Sequence, residues 1–337
     1  MYRRRQKKWH WGWITLIIAA VQLTALLAVQ GGEAAENWQN LFSVGEESVE
    51  EAVSTEEKHE VFLGYPRIYT STLIEARGEM EDLRSLYPIE TLRDFENLRK
   101  LYMYDPEYLV PYPELLDAER FMEKELTADF TVDGPQILIF HTHGSETYAD
   151  GSSVREVGEY LKEVLEQEYG VSVLHDTTLY DTDPQVSAYD KMRTSIQAIL
   201  DEQPSLQVTI DLHRDGVGGD GRLITQIDGE TTAQLMCVTG ISAEYNSQTG
   251  RMEETSYLYN PNREANLAFS FRTKMACDAL YPGLMRGIYL STYRYSTYMR
   301  EKGMLLEVGA QGNLLDECKR AMDDFAPALM QILSGKG

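Results

Sequence analysis

The chain has 337 residues, 43% of them hydrophobic and 25% charged, an ordinary globular composition that allows one sizeable domain with accessory segments. Its formal net charge of −23 excludes nucleic acid as a partner, because that affinity comes largely from Lys and Arg releasing counterions from phosphates. So acidic a chain has to recognise its partner through local contacts rather than through a broad attractive field.

The positive charge is gathered at the start. Arg3, Arg4, Arg5, Lys7 and Lys8 stand directly before an uncharged stretch from Trp9 to Gln30. Its core, Trp11 to Val29, has about the twenty residues that a helix needs to cross a bilayer. Residues 1–10 are therefore expected as a cytoplasmic basic segment, 11–30 as a transmembrane helix, and everything after it outside the cytoplasm, which makes this a single-pass protein of the cell membrane. The competing reading is a cleaved signal peptide, since Gly32-Glu-Ala34 resembles a small-x-small cleavage site. Between Gly31 and Glu60 stand nine glutamates and one lysine with few large apolar residues. Such a segment cannot bury enough surface to fold alone, so 31–60 reads as an acidic linker, an extended tether.

From Val61 to about Asp129 apolar residues recur at helical spacing, as in Ile74 to Leu83 and Thr91 to Leu101, broken by Tyr-Pro and Asp-Pro steps. Residues 61–130 are expected as a helical accessory region of short packing helices. Strands and helices then alternate: a strand from Gln136 to His141, a helix from Val154 to Glu168, a strand from Val171 to His175, a helix from Ala188 to Asp201, and a strand from Gln207 to Asp211. That βαβ rhythm predicts an α/β fold with a mainly parallel sheet flanked by helices over 131–337. Gly221 to Gly240 reads as two strands around an Asp228-Gly-Glu turn, Asn262 to Ala279 as a helix, Gly287 to Leu290 and Gly303 to Glu307 as strands, and Asp316 to Leu333 as a closing helix. Cys237, Cys277 and Cys318 are odd in number and widely spaced, which suits neither a disulfide framework nor a thiolate zinc site and predicts buried thiols.

Three apolar runs end in chemistry. Gln136-Ile-Leu-Ile-Phe-His-Thr-His-Gly-Ser-Glu146 carries His141, His143 and Glu146 where the chain must leave the sheet, and a turn through Gly144 and Ser145 can bring two of the three onto one ion. His213 follows a second buried-type strand in Val208-Thr-Ile-Asp-Leu-His-Arg-Asp-Gly216. In an open α/β sheet the carboxyl ends of neighbouring strands converge on one crevice, so residues distant in sequence can meet there. Histidine nitrogen and carboxylate oxygen are the usual donors of catalytic zinc, which commonly takes three protein ligands and keeps a fourth position open. Glu307 sits within the apolar run Gly303-Met-Leu-Leu-Glu-Val-Gly309, where a carboxylate needs a partner to offset its desolvation. If it faces the crevice, burial raises its pKa and a nearby cation lowers it, which suits a carboxylate that shuttles a proton. A packed histidine or an edge-strand glutamate is the plainer alternative at each position.

Taken together, His141-Thr-His-Gly-Ser-Glu-Thr-Tyr148, Tyr169-Gly-Val-Ser-Val-Leu-His175, Ile210-Asp-Leu-His-Arg-Asp-Gly-Val217, Asn266-Leu-Ala-Phe-Ser270, Tyr281-Pro-Gly283 and Leu306-Glu-Val-Gly-Ala-Gln-Gly-Asn313 resemble the stage II sporulation protein P family, from about Pro135 to Leu333. These are peptidoglycan amidases of endospore-forming bacteria, with a zinc amidase-like fold. The resemblance implies that His143, Glu146 and His213 hold zinc and that Glu307 is the catalytic acid/base. It leaves His141 as either a further active-site residue or an alternative ligand to His143. It further implies peptidoglycan as substrate, cleavage of the amide between N-acetylmuramic acid and L-alanine during engulfment, endopeptidase activity on cross-linked stems, and association with a wall lytic transglycosylase and a membrane scaffold. Arg214, Gln311 and Asn313 are expected to position the substrate, on their nearness in sequence to these motifs. Where the family often has a histidine, Tyr293-Arg-Tyr-Ser-Thr-Tyr298 offers tyrosine. The rival readings are a zinc carboxypeptidase or endopeptidase that cuts only peptide, and a membrane-tethered scaffold that binds no metal.

Overall fold

The computed structural model describes residues 89–183 and 185–335, which belong to one compact unit. The expected basic segment 1–10, transmembrane helix 11–30, acidic linker 31–60 and the first part of the accessory region lie outside the described residues. Among the described residues no helix is long and apolar enough to cross a membrane.

The first described elements are the short helices α1 (Ile89–Leu92) and α2 (Phe95–Arg99), strand β1 (Tyr102–Met103) and helix α3 (Ala118–Glu123). The helices match the expected spacing, and β1 adds something the helical pattern did not signal, an edge strand of the main sheet. The segment shares one core with the rest of the domain: Phe121 of α3 lies 5.6 Å, ring to ring, from Phe271.

Next come β2 (Ile137–Phe140), α4 (Val154–Tyr169), β3 (Val173–His175), α5 (Ala188–Glu202) and β4 (Val208–Asp215). All four residues of β2 are buried, the pattern of a strand covered on both faces. Helix α4 begins at a capping box in which Glu156 accepts from the Ser153 amide at 2.7 Å, and it stops at Gly170, whose φ of 66° closes the last turn. The chain continues through β5 (Ile224–Ile227), β6 (Glu230–Ala233), β7 (Leu235–Gly240), β8 (Ala243–Asn246), β9 (Arg251–Glu254), α6 (Arg263–Leu280), β10 (Met285–Ser291), β11 (Lys302–Ala310) and α7 (Leu315–Leu333). Asp228 and Gly229 both have positive φ and join β5 to β6 in a two-residue turn. The expected second strand of that hairpin is in fact two: β6 pairs with β5 alone, and after Gln234 the chain enters the main sheet as β7.

The main sheet has seven strands in the order β1-β10-β7-β11-β4-β2-β3, and every neighbouring pair is parallel except β7 with β11. This is an α/β fold with a mainly parallel sheet. From β2 the chain steps through α4 to β3 on one side, then returns through α5 to β4 on the other. That reversal opens a crevice at the carboxyl ends of β2 and β4. One face of the sheet, with Ile137, Ile139, Ile210, Leu212, Leu306 and Val308, packs into the large core that includes α4, α6 and α7. On the other, Leu138 and Phe140 meet Met192, Ile196 and Leu200 of α5. Because side chains alternate along a strand, Asp211, His213 and Asp215 of β4 and Glu307 of β11 fall on this second face. The three cysteines are buried free thiols, as expected.

Candidate metal centre

The second face brings His143, Glu146 and His213 together at the crevice. One ligand atom from each lies within 4.8 Å of the others. The His143 and His213 rings stand edge to face with centroids 5.3 Å apart, the Glu146 carboxylate is 3.4 Å from His213 Nδ1, and it is 4.0 Å from His143 Nδ1. Glu146 is held from outside the trio, since the Arg214 backbone amide donates to its Oε2 at 3.1 Å. The turn that carries these residues is pinned too: the Ser145 amide donates to Asp181 and Arg155 donates to the Gly144 carbonyl.

Asp211, fully buried two residues before His213, is a site residue that the sequence motifs did not single out. Its Oδ1 accepts from His213 Nε2 at 2.7 Å and from the Thr142 amide at 2.8 Å, and its Oδ2 accepts from the Thr142 hydroxyl at 2.7 Å. Asp211 thus ties the end of β2 to β4 and holds the Nε2–H tautomer of His213, which leaves Nδ1 facing the trio. This is the carboxylate–histidine arrangement that commonly orients a metal ligand. The spacing was the available signal: residues two apart on one strand share a face. Burial alone would raise the Asp211 pKa, but His213 and the Thr142 donors outweigh it and hold the carboxyl at about 2. Burial likewise opposes charge on His213, yet Asp211 and Glu146 raise its pKa well above the ordinary histidine value.

Glu307 reaches the same place by register, since it lies directly opposite His213 across the β11/β4 pair. Burial, with repulsion from Asp215 and Glu146, pushes its pKa up to about 8 against the attraction of His213 and Arg286. Its Oε2 is enclosed without a hydrogen-bond partner. Two imidazoles and a carboxylate converging on one point, beside an unsatisfied buried carboxylate oxygen, form a donor set that fits a divalent cation of the zinc class.

The remaining expected site residues lie elsewhere. His141 is fully buried on the opposite side of the chain, against α4. Its Nδ1 donates to the Leu212 carbonyl at 2.7 Å and its Nε2 is 2.8 Å from His175 Nε2, so neither nitrogen is available to a substrate or an ion. Burial holds its pKa down at about 3. The strand ends at Phe140 and the chain turns at once, so His141 and His143 do not share a face. Arg214 donates from Nε to the Thr147 carbonyl at 3.0 Å and from Nη1 to the Asp215 carbonyl at 3.3 Å; its backbone amide, rather than its guanidinium, is what touches the site. Gln311 spans the 217–219 loop, donating to the Val217 and Gly219 carbonyls and accepting from the Val217 amide at 3.2 Å. Asn313 is fully buried: its oxygen accepts from the Leu223 and Ala310 amides, and its nitrogen donates to the Leu223 carbonyl and to Glu317. The side chains of Gln311 and Asn313 are thus engaged in hydrogen bonds that shape their own loops.

A family model described as Stage II sporulation protein P matches residues 43–330. A curated relative, Stage II sporulation protein P of Bacillus subtilis (strain 168), is 23% identical over 245 residues, covering 64% of this chain and 54% of the relative, so the chain spans about half the length of that protein. Among solved structures, the catalytic domain of the N-acetylmuramoyl-L-alanine amidase CwlV from Bacillus (Paenibacillus) polymyxa var. colistinus is 14% identical, with a TM-score of 0.37 over 59% of this chain and 98% of that one. An N-acetylmuramoyl-L-alanine amidase from Clostridium difficile 630 is 12% identical, with a TM-score of 0.37 over 61% of this chain and 100% of that one. The amidase AmiC2 of Nostoc punctiforme is 11% identical, with a TM-score of 0.33 over 61% and 98%.

Proposed function

The chain belongs to the Stage II sporulation protein P family, and from that premise we propose that it is a membrane-anchored, zinc-dependent peptidoglycan hydrolase that cleaves the amide between N-acetylmuramic acid and L-alanine of the stem peptide during sporulation. The observation that carries this reading is the convergence of His143, Glu146 and His213 beside Glu307 in one crevice. The anchor rests on the basic and apolar pattern of residues 1–30, and the exported side on the positive-inside rule.

In this reading His143, Glu146 and His213 hold the zinc, which supplies Lewis acidity that polarises a carbonyl and acidifies water. Asp211 keeps His213 in the tautomer that presents Nδ1. Thr142 and the Arg214 amide fix the two carboxylates that serve the trio, Asp211 and Glu146. Glu307 is the proton shuttle. Burial and repulsion raise its pKa, positive charge held by the three donors would lower it, and its carboxylate would take a proton from the attacking water and return it to the departing amine nitrogen. Endopeptidase action on cross-linked stems uses the same residues on a second amide.

The test uses the full chain purified in detergent, with metal content and product release from peptidoglycan sacculi measured together. One zinc per chain, chelator-sensitive release of stem peptides from intact glycan, and loss of both metal and activity in His213→Ala are expected. Full activity in His213→Ala, or an active wild-type chain without a divalent metal, rejects the assignment. Products that retain every stem peptide on the glycan but lose cross-links replace it with a peptide-only hydrolase.

A further inference from the structure

Tyrosine rings lead away from the metal centre in an unbroken series. The Tyr189 ring stands edge-on to His143 at 5.5 Å between centroids, Tyr295 lies 5.5 Å from Tyr189, and Tyr293 lies 6.1 Å from Tyr295. Tyr295 rests one side on the small core formed by Met236, Val238, Tyr289 and Leu305, whereas Tyr293 is 52% exposed. Tyr108 and Tyr257 are exposed nearby: Glu107 raises the first phenol and Glu244 the second, and Tyr293 contributes to both. Hydrophobic packing accounts for Tyr295 but not for the exposed ring of Tyr293.

The loop that presents Tyr293 and Tyr295 is held in an unfavourable shape. Tyr295 has a φ of 46°, in the left-handed region that bulky side chains avoid. The loop presses on β7 so closely that a Cβ on Gly240 would come within 2.3 Å of the Tyr293 carbonyl oxygen and 2.6 Å of Arg294 Cα. The Arg294 guanidinium lies 3.9 Å over the Tyr298 ring and donates to the Tyr259 carbonyl at 3.1 Å. A strained turn persists only where its surroundings over-determine it, and here they fix two aromatic rings in the series that starts at His143.

We propose that Tyr293 and Tyr295 form an aromatic wall that stacks on the pyranose rings of a glycan strand and so delivers the amide to the metal centre. The inference rests on the peptidoglycan reading above and names the part of the substrate that this side of the crevice takes. The C–H bonds on one face of a pyranose carry partial positive charge and meet the negative face of an aromatic ring. Such contacts need no net charge, which suits a chain whose own −23 repels polyanions. An amide on the lactyl group of a sugar also requires that sugar to lie directly beside the metal ligands, where the tyrosine series begins.

Binding without turnover tests it. Peptide-free glycan strands are titrated into the full wild-type chain and into Tyr293→Ala and Tyr293→Phe by calorimetry, with free stem peptide titrated in parallel. The wall predicts that Tyr293→Ala weakens glycan binding about fivefold, that Tyr293→Phe, which keeps the ring, stays within about twofold of wild type, and that stem-peptide binding is unmoved. On sacculi the same loss appears in KM, with kcat within about twofold. Glycan binding unchanged in Tyr293→Ala, or no glycan binding by the wild-type chain, overturns the proposal, as does a loss confined to the stem peptide, which would make the wall a peptide subsite. Because the titration requires no cleavage, an inactive wild-type chain that still binds glycan through Tyr293 would refute the hydrolase reading and leave the wall standing.

Discussion

Two sets of side chains at the carboxyl end of the sheet are built from the same parts. His143, His213 and Glu146 stand on the crevice side, and His141, His175 and Glu159 stand on the α4 side. In the second set the nitrogens are bonded in series: Leu212 carbonyl to His141, His141 to His175, and His175 Nδ1 to Glu159 at 2.7 Å. The imidazoles are almost completely enclosed, and their edges press so closely on α4 that position 158 has room only for glycine. In the first set His143 is part-exposed, His213 turns Nδ1 inward because Asp211 occupies Nε2, and Glu146 directs oxygens at both rings. Two imidazoles and a glutamate are therefore not enough to suggest a metal site. What matters is whether their lone pairs are consumed by the fold or left converging on a point that solvent can reach.

The sharpest way to break that contrast is Glu307→Gln, which keeps the shape of the crevice and removes its proton shuttle. Activity on sacculi is expected to fall by about 10²–10⁴-fold, with zinc still bound at one per chain. Activity within a few-fold of wild type would mean that Glu307 is only a buried neighbour of the metal ligands.

Next in size is the effect of pH on the metal-free and metal-loaded chain. His213 and Glu307 both have pKa values raised by folding, so the folded metal-free state holds protons that the unfolded state has released. Their contribution to stability is complete below the unfolded values, about 4.3 for Glu and 6.5 for His. It fades as pH climbs through about 8 for Glu307 and through the higher value of His213. Buried His141, whose pKa is held down at about 3, works the other way up to about pH 6.5, so the metal-free chain should lose stability chiefly from about pH 6.5 upward. Since Nδ1 must be deprotonated to bind, zinc affinity should rise about tenfold per pH unit for each proton displaced, up to the His213 pKa. Asp211→Asn removes the carboxylate that raises His213 and should shallow this dependence while weakening zinc about 10–100-fold. Calorimetry in buffers of different ionisation enthalpy reads the proton release directly, and zinc binding with none at neutral pH would mean that Asp211 and Glu146 do not hold a proton on His213 in the metal-free chain.

Much of this is legible in the sequence, for identifiable reasons. Buried parallel strands such as Ile137–Phe140 announce themselves as continuous apolar runs, and α4, α5, α6 and α7 fall within a residue or two of the boundaries read from periodicity. The β8/β9 hairpin is not legible, because most of its residues are exposed and polar and no buried face imposes alternation. At the site, the ends of β2, β4 and β11 can be placed at one edge from topology alone. The separation of His141 from His143 cannot, because it depends on the strand stopping at Phe140 rather than two residues later. The bonds of Asn313 are illegible for a related reason: only the folded chain shows its amide holding the 310–317 turn and Leu223.

The smallest effect tests the α4 side. A Cβ on Gly158 would stand 2.7 Å from the His141 ring and 2.9 Å from His175 Nε2, well inside any real contact. An interior helix position would otherwise favour alanine by about 1 kcal/mol, so glycine is there for the imidazoles rather than for the helix. Gly158→Ala must push the two rings away from α4 and loosen the Nδ1 bond that ties His141 to the Leu212 carbonyl. Overpacking of this kind costs about 1–3 kcal/mol, which in a body of this size lowers Tm by about 2–10 °C. If the α4 set is purely a brace, zinc should still bind at one per chain with affinity within about threefold of wild type. A larger loss of zinc at a small loss of Tm would show that the bond to Leu212, one residue before His213, also sets the geometry of the metal ligands, and the two sets would then be one device.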